Sequence, residues 1–415
     1  MQISHFWSHN LLIELKFCVN VIKLIVNKGV NMMKTKFLRL FKRKSTSECA
    51  RLKGKADLLE YVFRDKGIPG RIKDAESGPL LDLFNFTPDA GVTPKKIFDI
   101  VVANDGSARI LPQTGDVQIY LPKQERTMIW LEDLLKSTAF KKSRASLPVI
   151  VGVNVLGKPC VLDLSETRNI LIDGRLGSGK TTLILSMLLS LAHHNEPRDI
   201  GVVIIDTMDE YAALDHIPHL TKRISNNNCI TELQKILDMV NTRTPNNDVL
   251  NTPMVLVVDK ITDLNSESQQ VVYRILQQGS SVGIYCIATG YKTIELSENI
   301  RACFDTQIAF DMPKTEMKKI LGTDADTLTL WSYGDAVYTI KSQQPERIHP
   351  AYISEDCVAK LADELADKYA DYIDLQKNAI RYILEEEPNI TDIQRKLGIS
   401  YKHATKLREC ADLLK

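Results

Sequence analysis

The chain has 415 residues, 44% of them hydrophobic and 25% charged, and a net charge of +1. These values suit a globular protein with two or three domains, and they exclude a disordered, collagenous or multi-span membrane chain. Eight cysteines include no CxxC pair and eight histidines no HExxH, so reduced thiols in a cytoplasmic protein fit better than a zinc ribbon or a disulfide framework.

Residues 1–45 hold nine Lys/Arg against the single acid Glu14. This leader is therefore strongly basic, and the rest of the chain is net acidic. Within it, Leu11 to Val26 is apolar, but Lys16, Asn20 and Lys23 form a polar face. The spacing predicts an amphipathic helix rather than a membrane span. Residues 11–44 read as a contact for a membrane surface or nucleic acid, peripheral to the membrane; the plain alternatives are a solvated tail or a start at Met32 or Met33. No cleavable signal peptide is evident.

Residues 46–147 read as a small α+β domain. Asp57 to Asp65 is a helix, and Gly70 to Lys73, Leu80 to Phe86 and Val117 to Leu121 are short strands between turns; Trp130 to Leu135 starts another helix. Over 148–352 strands alternate with helices, the pattern of a parallel sheet. The expected strands are Asn169 to Asp173, Ile200 to Asp206, Met254 to Asp259, Ser281 to Thr289, Thr306 to Phe310 and Ala336 to Ile340. Residues 353–372 form a linker helix, with Ser354 as N-cap and Glu355 and Asp356 in its first turn. Residues 373–415 read as a helix-turn-helix.

Three features carry chemistry. Gly174, Gly177 and Gly179 punctuate a loop that ends in Lys180 and Thr181, between a strand and a helix. Such a loop turns successive N–H groups, including that of Ser178, toward phosphate oxygens, and the following helix adds its positive end. Lys180 is expected on the β- and γ-phosphates, Thr181 on Mg²⁺, and Thr182 completes the nucleotide-binding set. Met254 to Val258 is an apolar strand ending in Asp259, the expected second group for Mg²⁺. Finally, Ile390 to Leu397, Gly398 and Ser400 to Ala411 read as helix, tight turn, helix. Arg395, Lys396, Tyr401, Lys402, His403, Lys406 and Arg408 are the expected DNA contacts. A helical hairpin used only for packing is the alternative.

The order of these features resembles the motor portion of the FtsK/SpoIIIE DNA translocases over about residues 55–414. Ser77-Gly78-Pro79, Leu121-Pro122-Lys123, the pair of segments from Leu147 to Leu164, Ile217-Pro218-His219-Leu220 and Gly334-Asp335 carry the resemblance beside the P-loop. It implies an α/β, RecA-like P-loop NTPase core preceded by a small α+β domain and followed by a partial winged helix. It also implies ATP and Mg²⁺ as ligands, double-stranded DNA as substrate, and a hexameric ring.

The chain departs from that family's pattern at several points. Lys260 follows Asp259 where the family usually has the glutamate that activates water, and a charged lysine cannot accept a proton. Gly290 stands where a glutamine is usual, Gln307 where an arginine is usual, and Thr207-Met208 follows Asp206 in place of Pro-Lys. The stretch from Leu220 to Pro253 is short. Lys415 follows directly on the second helix, so no β-hairpin wing is expected; separately, the family's N-terminal membrane spans are not expected in this sequence. Asp259 remains a catalytic candidate, and Asp209 or Glu210 is the acid expected to substitute, with Glu210 the candidate carried forward. Three readings follow: an ATP-dependent translocase, a hydrolysis-impaired adaptor or scaffold that still binds ATP and DNA, and a non-motor regulator whose helix-turn-helix supplies DNA specificity while the ATPase fold is structural.

Overall fold

In the computed structural model the described residues are 48–89, 91–104, 109–112, 116–123, 127–224, 229–247, 251–291, 293–321, 330, 334–341, 343 and 345–415. The basic leader, residues 1–45, lies outside them. The described residues divide between two units, one up to Thr127 together with 155–157, the other holding the rest from Met128 onward.

The first unit contains α1 (Glu48–Asp65), β1 (Gly70–Ser77), β2 (Leu81–Pro88), α2 (Pro94–Asn104), β3 (Arg109–Pro112) and β4 (Val117–Pro122). Its strands form an antiparallel sheet in the order β1-β2-β4-β3. Alternation along β2 turns Phe84 and Phe86 to one face, where Phe63, Ile68, Ile97 and Ile119 complete a core. Asp82 is buried and accepts hydrogen bonds from Arg51 at 2.7 Å and Lys55 at 2.8 Å. Burial alone would raise its carboxyl, but these donors hold it at about 2.

The second unit begins with α3 (Leu131–Lys136), α4 (Thr138–Lys141), β5 (Pro148–Asn154), β6 (Pro159–Asp163), α5 (Leu164–Thr167), β7 (Ile170–Asp173) and α6 (Lys180–His194). It continues through β8 (Gly201–Ile205), β9 (Leu220–Ile224), α7 (Cys229–Thr242), β10 (Met254–Val258), α8 (Ser266–Gln278) and β11 (Ile284–Gly290). Then follow α9 (Glu298–Arg301), β12 (Thr306–Phe310), α10 (Lys314–Leu321), β13 (Ala336–Ile340) and β14 (Glu346–His349). Four helices close the chain: α11 (Glu355–Lys368), α12 (Ala370–Glu386), α13 (Ile390–Leu397) and α14 (Tyr401–Leu414).

One ten-stranded sheet runs in the order β6-β5-β14-β13-β12-β7-β11-β10-β8-β9. The six strands from β12 to β9 are parallel, and β13, β14, β5 and β6 extend the sheet antiparallel. β8 and β10 are buried along their whole length. Helices cover both faces of such strands, which is why they read as unbroken Val, Ile and Leu. α6 packs through Leu183, Ile184, Met187 and Leu188 into the core on one face, and α7 and α8 supply the core on the other. β7 lies between β11 and β12, although the chain next enters β8, three positions away. That break in strand order opens a crevice at the carboxyl ends of the strands.

Two boundaries differ from expectation. The small domain stops at 127 rather than 147, because Leu131, Leu134 and Phe140 of α3 and α4 bury into the same core as α6. The C-terminal helices have their own small core of Ala379, Ile383, Ile393, Ala404 and Leu407, yet they belong to the larger unit. No described helix is long and apolar enough to cross a membrane.

Candidate nucleotide-binding site

The crevice is built from the ends of four parallel strands. β7 leads through Asp173 into the loop 174–179, and α6 begins at Lys180, with Thr181 and Thr182 next in its first turn. Gly179 caps that helix at φ 109°, a conformation strongly disfavoured for other residues. Lys180 folds back on the loop, donating to the carbonyl oxygens of Gly174 at 2.7 Å and Arg175 at 2.8 Å. Ser178 Oγ is buried and has no hydrogen-bond partner among the described residues.

Asp259 follows β10 and is 2% exposed. Thr289 of β11 donates to its Oδ1 at 2.5 Å, while Oδ2 makes no hydrogen bond among the described residues. Burial raises the Asp259 carboxyl above its ordinary value, against the opposing pull of Thr289 and Lys260. A buried carboxylate oxygen without a hydrogen bond, its one ion-pair neighbour among the described residues being Lys260 Nζ at 3.7 Å, suits a divalent cation. Thr181 and Asp259 are the residues that would hold Mg²⁺, and the loop with Lys180 would hold the phosphates.

Glu210 completes this arrangement. Asp206, just past β8, accepts from the N–H groups of Glu210 and Tyr211, both at 3.0 Å, and so fixes the turn. Glu210 then accepts from Thr181 Oγ1 at 2.6 Å and from Lys260 Nζ at 2.7 Å. Burial would raise its carboxyl, but the Lys260 and Thr181 hydrogen bonds hold it below its ordinary value. Asp209, the other substitute acid, is drawn away by Arg223, which also binds Asp215 through two 2.7 Å bonds and reaches Asp206 at 3.2 Å.

The remaining departures have local explanations. Gly290 pairs with Asp173 at the carboxyl ends of the central strands β11 and β7. A Cβ there would lie 2.2 Å from Thr293 Cγ2, and Thr293 donates both its N–H and its hydroxyl to Asp173. A threonine from the following turn thus fills the place of the usual glutamine. Gln307 pairs with Leu171, two register steps before Asp173, so it is set back from the carboxyl ends of the strands. Asp173, Thr289 and Thr293 were not singled out by sequence; only their position after strands β7 and β11 marks them.

Two resemblance motifs are structural. His219 is buried, donates through Nε2 to the Asn195 carbonyl at 2.9 Å, and packs edge-on against Tyr369. Asp335 is buried against the Arg347 guanidinium, which donates to it at 2.9 Å through Nε and again through Nη2.

The helix-turn-helix forms as expected, with Ser400 capping α14 and Gly398 at φ 65° ending α13. Its second helix, however, is docked on the nucleotide-binding unit, which buries one of the expected DNA contacts, Lys406, and leaves His403 and Arg408 half-buried. Lys406 is 4% exposed and donates to the carbonyl oxygens of Pro197 and, at 2.7 Å, Ile200. His403 stacks on Tyr372, and burial pushes its imidazole down to about 4. Arg408 donates to the Pro388 carbonyl at 2.7 Å. Arg243 of the core clamps Glu409 through bonds of 2.8 and 2.6 Å, and Lys222 donates to the Leu413 carbonyl at 2.7 Å. Arg395 and Tyr401 stay exposed, Lys402 is half-buried, and Lys396 lies 3.5 Å above the Tyr382 ring.

A family model described as FtsK/SpoIIIE family matches residues 130–312. The DNA translocase FtsK of Brucella suis is 24% identical over 86% of this chain and 53% of its own length. That of Helicobacter pylori is 27% identical over 85% of this chain and 48% of its own. The chain spans about half the length of these curated relatives. Among solved structures, the cytoplasmic domain of the Thermomonospora curvata type VII secretion ATPase EccC has a TM-score of 0.51 at 17% identity, covering 58% of this chain and 34% of that one. The pCW3 conjugation coupling protein TcpA has 0.50 at 12% identity, covering 75% and 99%. The structural likeness supports the P-loop ATPase fold.

Proposed function

We propose that this chain, matched over residues 130–312 by a model of the FtsK/SpoIIIE family, is an ATP-dependent motor that moves or transfers double-stranded DNA as a ring of copies, with Mg-ATP bound between the P-loop and Asp259. The observation that carries this reading is the placement of Glu210. Its carboxylate is held ionised within 2.6 Å of the Thr181 hydroxyl, so the chain keeps an acid in its phosphate crevice even though Lys260 occupies the usual position.

Each group then has a task. The loop N–H groups and Lys180 bind phosphates once Lys180 leaves the Gly174 and Arg175 carbonyls. Thr181 and Asp259 hold Mg²⁺, which when bound supplies Lewis-acid stabilisation of phosphate charge. Glu210 orients water and accepts its proton. DNA contact falls to Arg395, Lys396, Tyr401 and Lys402, with the half-buried His403 and Arg408 beside them, the expected residues other than the buried Lys406.

The second reading, a nucleotide-binding adaptor that hydrolyses poorly, rests on Lys260, whose ammonium engages Glu210. Duplex-stimulated ATP hydrolysis by the purified chain, lost in Lys180→Ala, supports the motor. Nucleotide binding without turnover, with turnover gained in Lys260→Glu, supports the adaptor. Absence of nucleotide binding removes both.

A further inference from the structure

Lys260 is held in a conformation that the local sequence does not favour. It is a non-glycine residue at φ 55°, in the left-handed region. Its N–H donates to Thr289 Oγ1 at 2.8 Å, and the same hydroxyl donates to Asp259. This relay fixes the backbone so that the side chain turns over the crevice rather than into solvent. The side chain is 12% exposed, with Nζ 2.7 Å from Glu210 Oε1 and 3.7 Å from Asp259 Oδ2.

Two lysines therefore converge on one crevice. Lys180 and Lys260 are close enough for Lys260 to oppose the Lys180 charge, while Asp173, Asp259 and Glu210 favour it. Two arginines near this edge have carboxylate partners of their own, Arg175 of the loop lying 3.5 Å from Asp311. Arg223 is engaged by Asp206, Asp209 and Asp215, and Gln307 and Gly290 bring no charge. The P-loop cradles phosphate from one side with Lys180; Lys260 approaches from the β10 side, where the end of a polyphosphate chain would lie.

We infer that Lys260 is a γ-phosphate contact, exchanging its Glu210 partner for the terminal phosphate of a bound nucleoside triphosphate. The contact makes the site discriminate triphosphate from diphosphate, and the exchange releases Glu210 when the triphosphate is present. This rests on the nucleotide-binding reading above. It assigns to the position after Asp259 a role different from the proton acceptor that the family resemblance implies there.

The test is equilibrium binding of ADP and of the non-hydrolysable triphosphate adenosine 5′-(β,γ-imido)triphosphate, each with Mg²⁺, to the full chain and to Lys260→Met, Lys260→Arg and Lys180→Ala. A charge-assisted hydrogen bond to phosphate is worth at least about tenfold in affinity. Lys260→Met is expected to weaken the triphosphate analogue by about tenfold or more and to leave ADP within about twofold. Lys260→Arg should recover part of the discrimination. Equal weakening of both nucleotides, or of neither, overturns the inference. Should wild type bind neither nucleotide, or Lys180→Ala bind both as wild type does, the nucleotide-binding reading fails and takes this inference with it. A purely structural lysine would not alter the ratio of the two affinities.

Discussion

Replacing Arg243 with alanine should loosen α14 from the nucleotide-binding unit. Arg243 donates twice to Glu409, at 2.8 and 2.6 Å, and once to the Val282 carbonyl at 2.9 Å. Its side chain is 4% exposed and that of Glu409 15%. Removing one member of a buried pair costs about 3–5 kcal/mol, mostly from the charge left behind. Here the lower end applies, because Lys406 still lies within electrostatic reach of Glu409. About 3 kcal/mol corresponds to roughly a hundredfold more frequent opening. Cys410 reports that opening, since it is buried with its Sγ 3.7 Å from Thr221 Oγ1. Peptide-resolved alkylation should speed up about a hundredfold at Cys410 while Cys286, buried in β11, keeps its wild-type rate. The reversed pair, Arg243→Glu with Glu409→Arg, should recover part of the protection. An unchanged Cys410 rate in Arg243→Ala refutes the clamp; equal acceleration at Cys286 refutes local undocking and indicates global destabilisation.

Three further outcomes follow from the same geometry. His219 is held at about 4 by burial, against an ordinary value of 6.5. The unfolded chain therefore takes up this proton first. The contribution of neutral His219 is complete above about pH 6.5 and is lost as pH falls toward 4, by about 2 kcal/mol at pH 5. Denaturant titrations should show a shallower loss between pH 7.5 and 5 in His219→Gln, and an identical pH slope would contradict the assignment. Gly290→Gln should not restore a family-like site. Its Cβ meets Thr293, so overpacking costs about 1–3 kcal/mol, visible as a lower Tm; an unchanged Tm would show that Thr293 yields freely. Glu210→Gln keeps the hydrogen-bond geometry to Thr181 but removes the proton acceptor. It should leave nucleotide affinity within a few-fold and lower turnover by about a hundredfold or more; undiminished turnover excludes Glu210 as the base.

The phosphate loop and the buried parallel strands were legible because their signals are local: glycines at fixed offsets, then unbroken apolar runs such as Met254 to Val258. β9, with Leu220-Thr221-Lys222-Arg223-Ile224, was not, because a half-buried edge strand carries no such run. β14 escaped for a related reason. Its buried Arg347 pairs with Asp335 on the turn before β13, and hydropathy cannot register that pairing. The helix-turn-helix was readable from Ser400 and Gly398, but its docking was not. A lysine at position 406 looks the same in sequence whether it faces water, phosphate or the carbonyls of Pro197 and Ile200. The site shows the same division. Sequence named Thr181, Asp259 and Glu210 and noticed that Lys260 is unusual. Only the fold brings Lys260 Nζ onto Glu210 and shows Thr293 filling the space beside Gly290.

The central claim is that the crevice between the P-loop and Asp259 binds Mg-ATP and hydrolyses it in response to DNA. Steady-state ATP hydrolysis by the full chain, with Mg²⁺ and with or without duplex DNA, beside Lys180→Ala, tests it most directly. The account predicts hydrolysis that rises several-fold with duplex DNA and falls to background in Lys180→Ala. Background hydrolysis by wild type with and without DNA would contradict it.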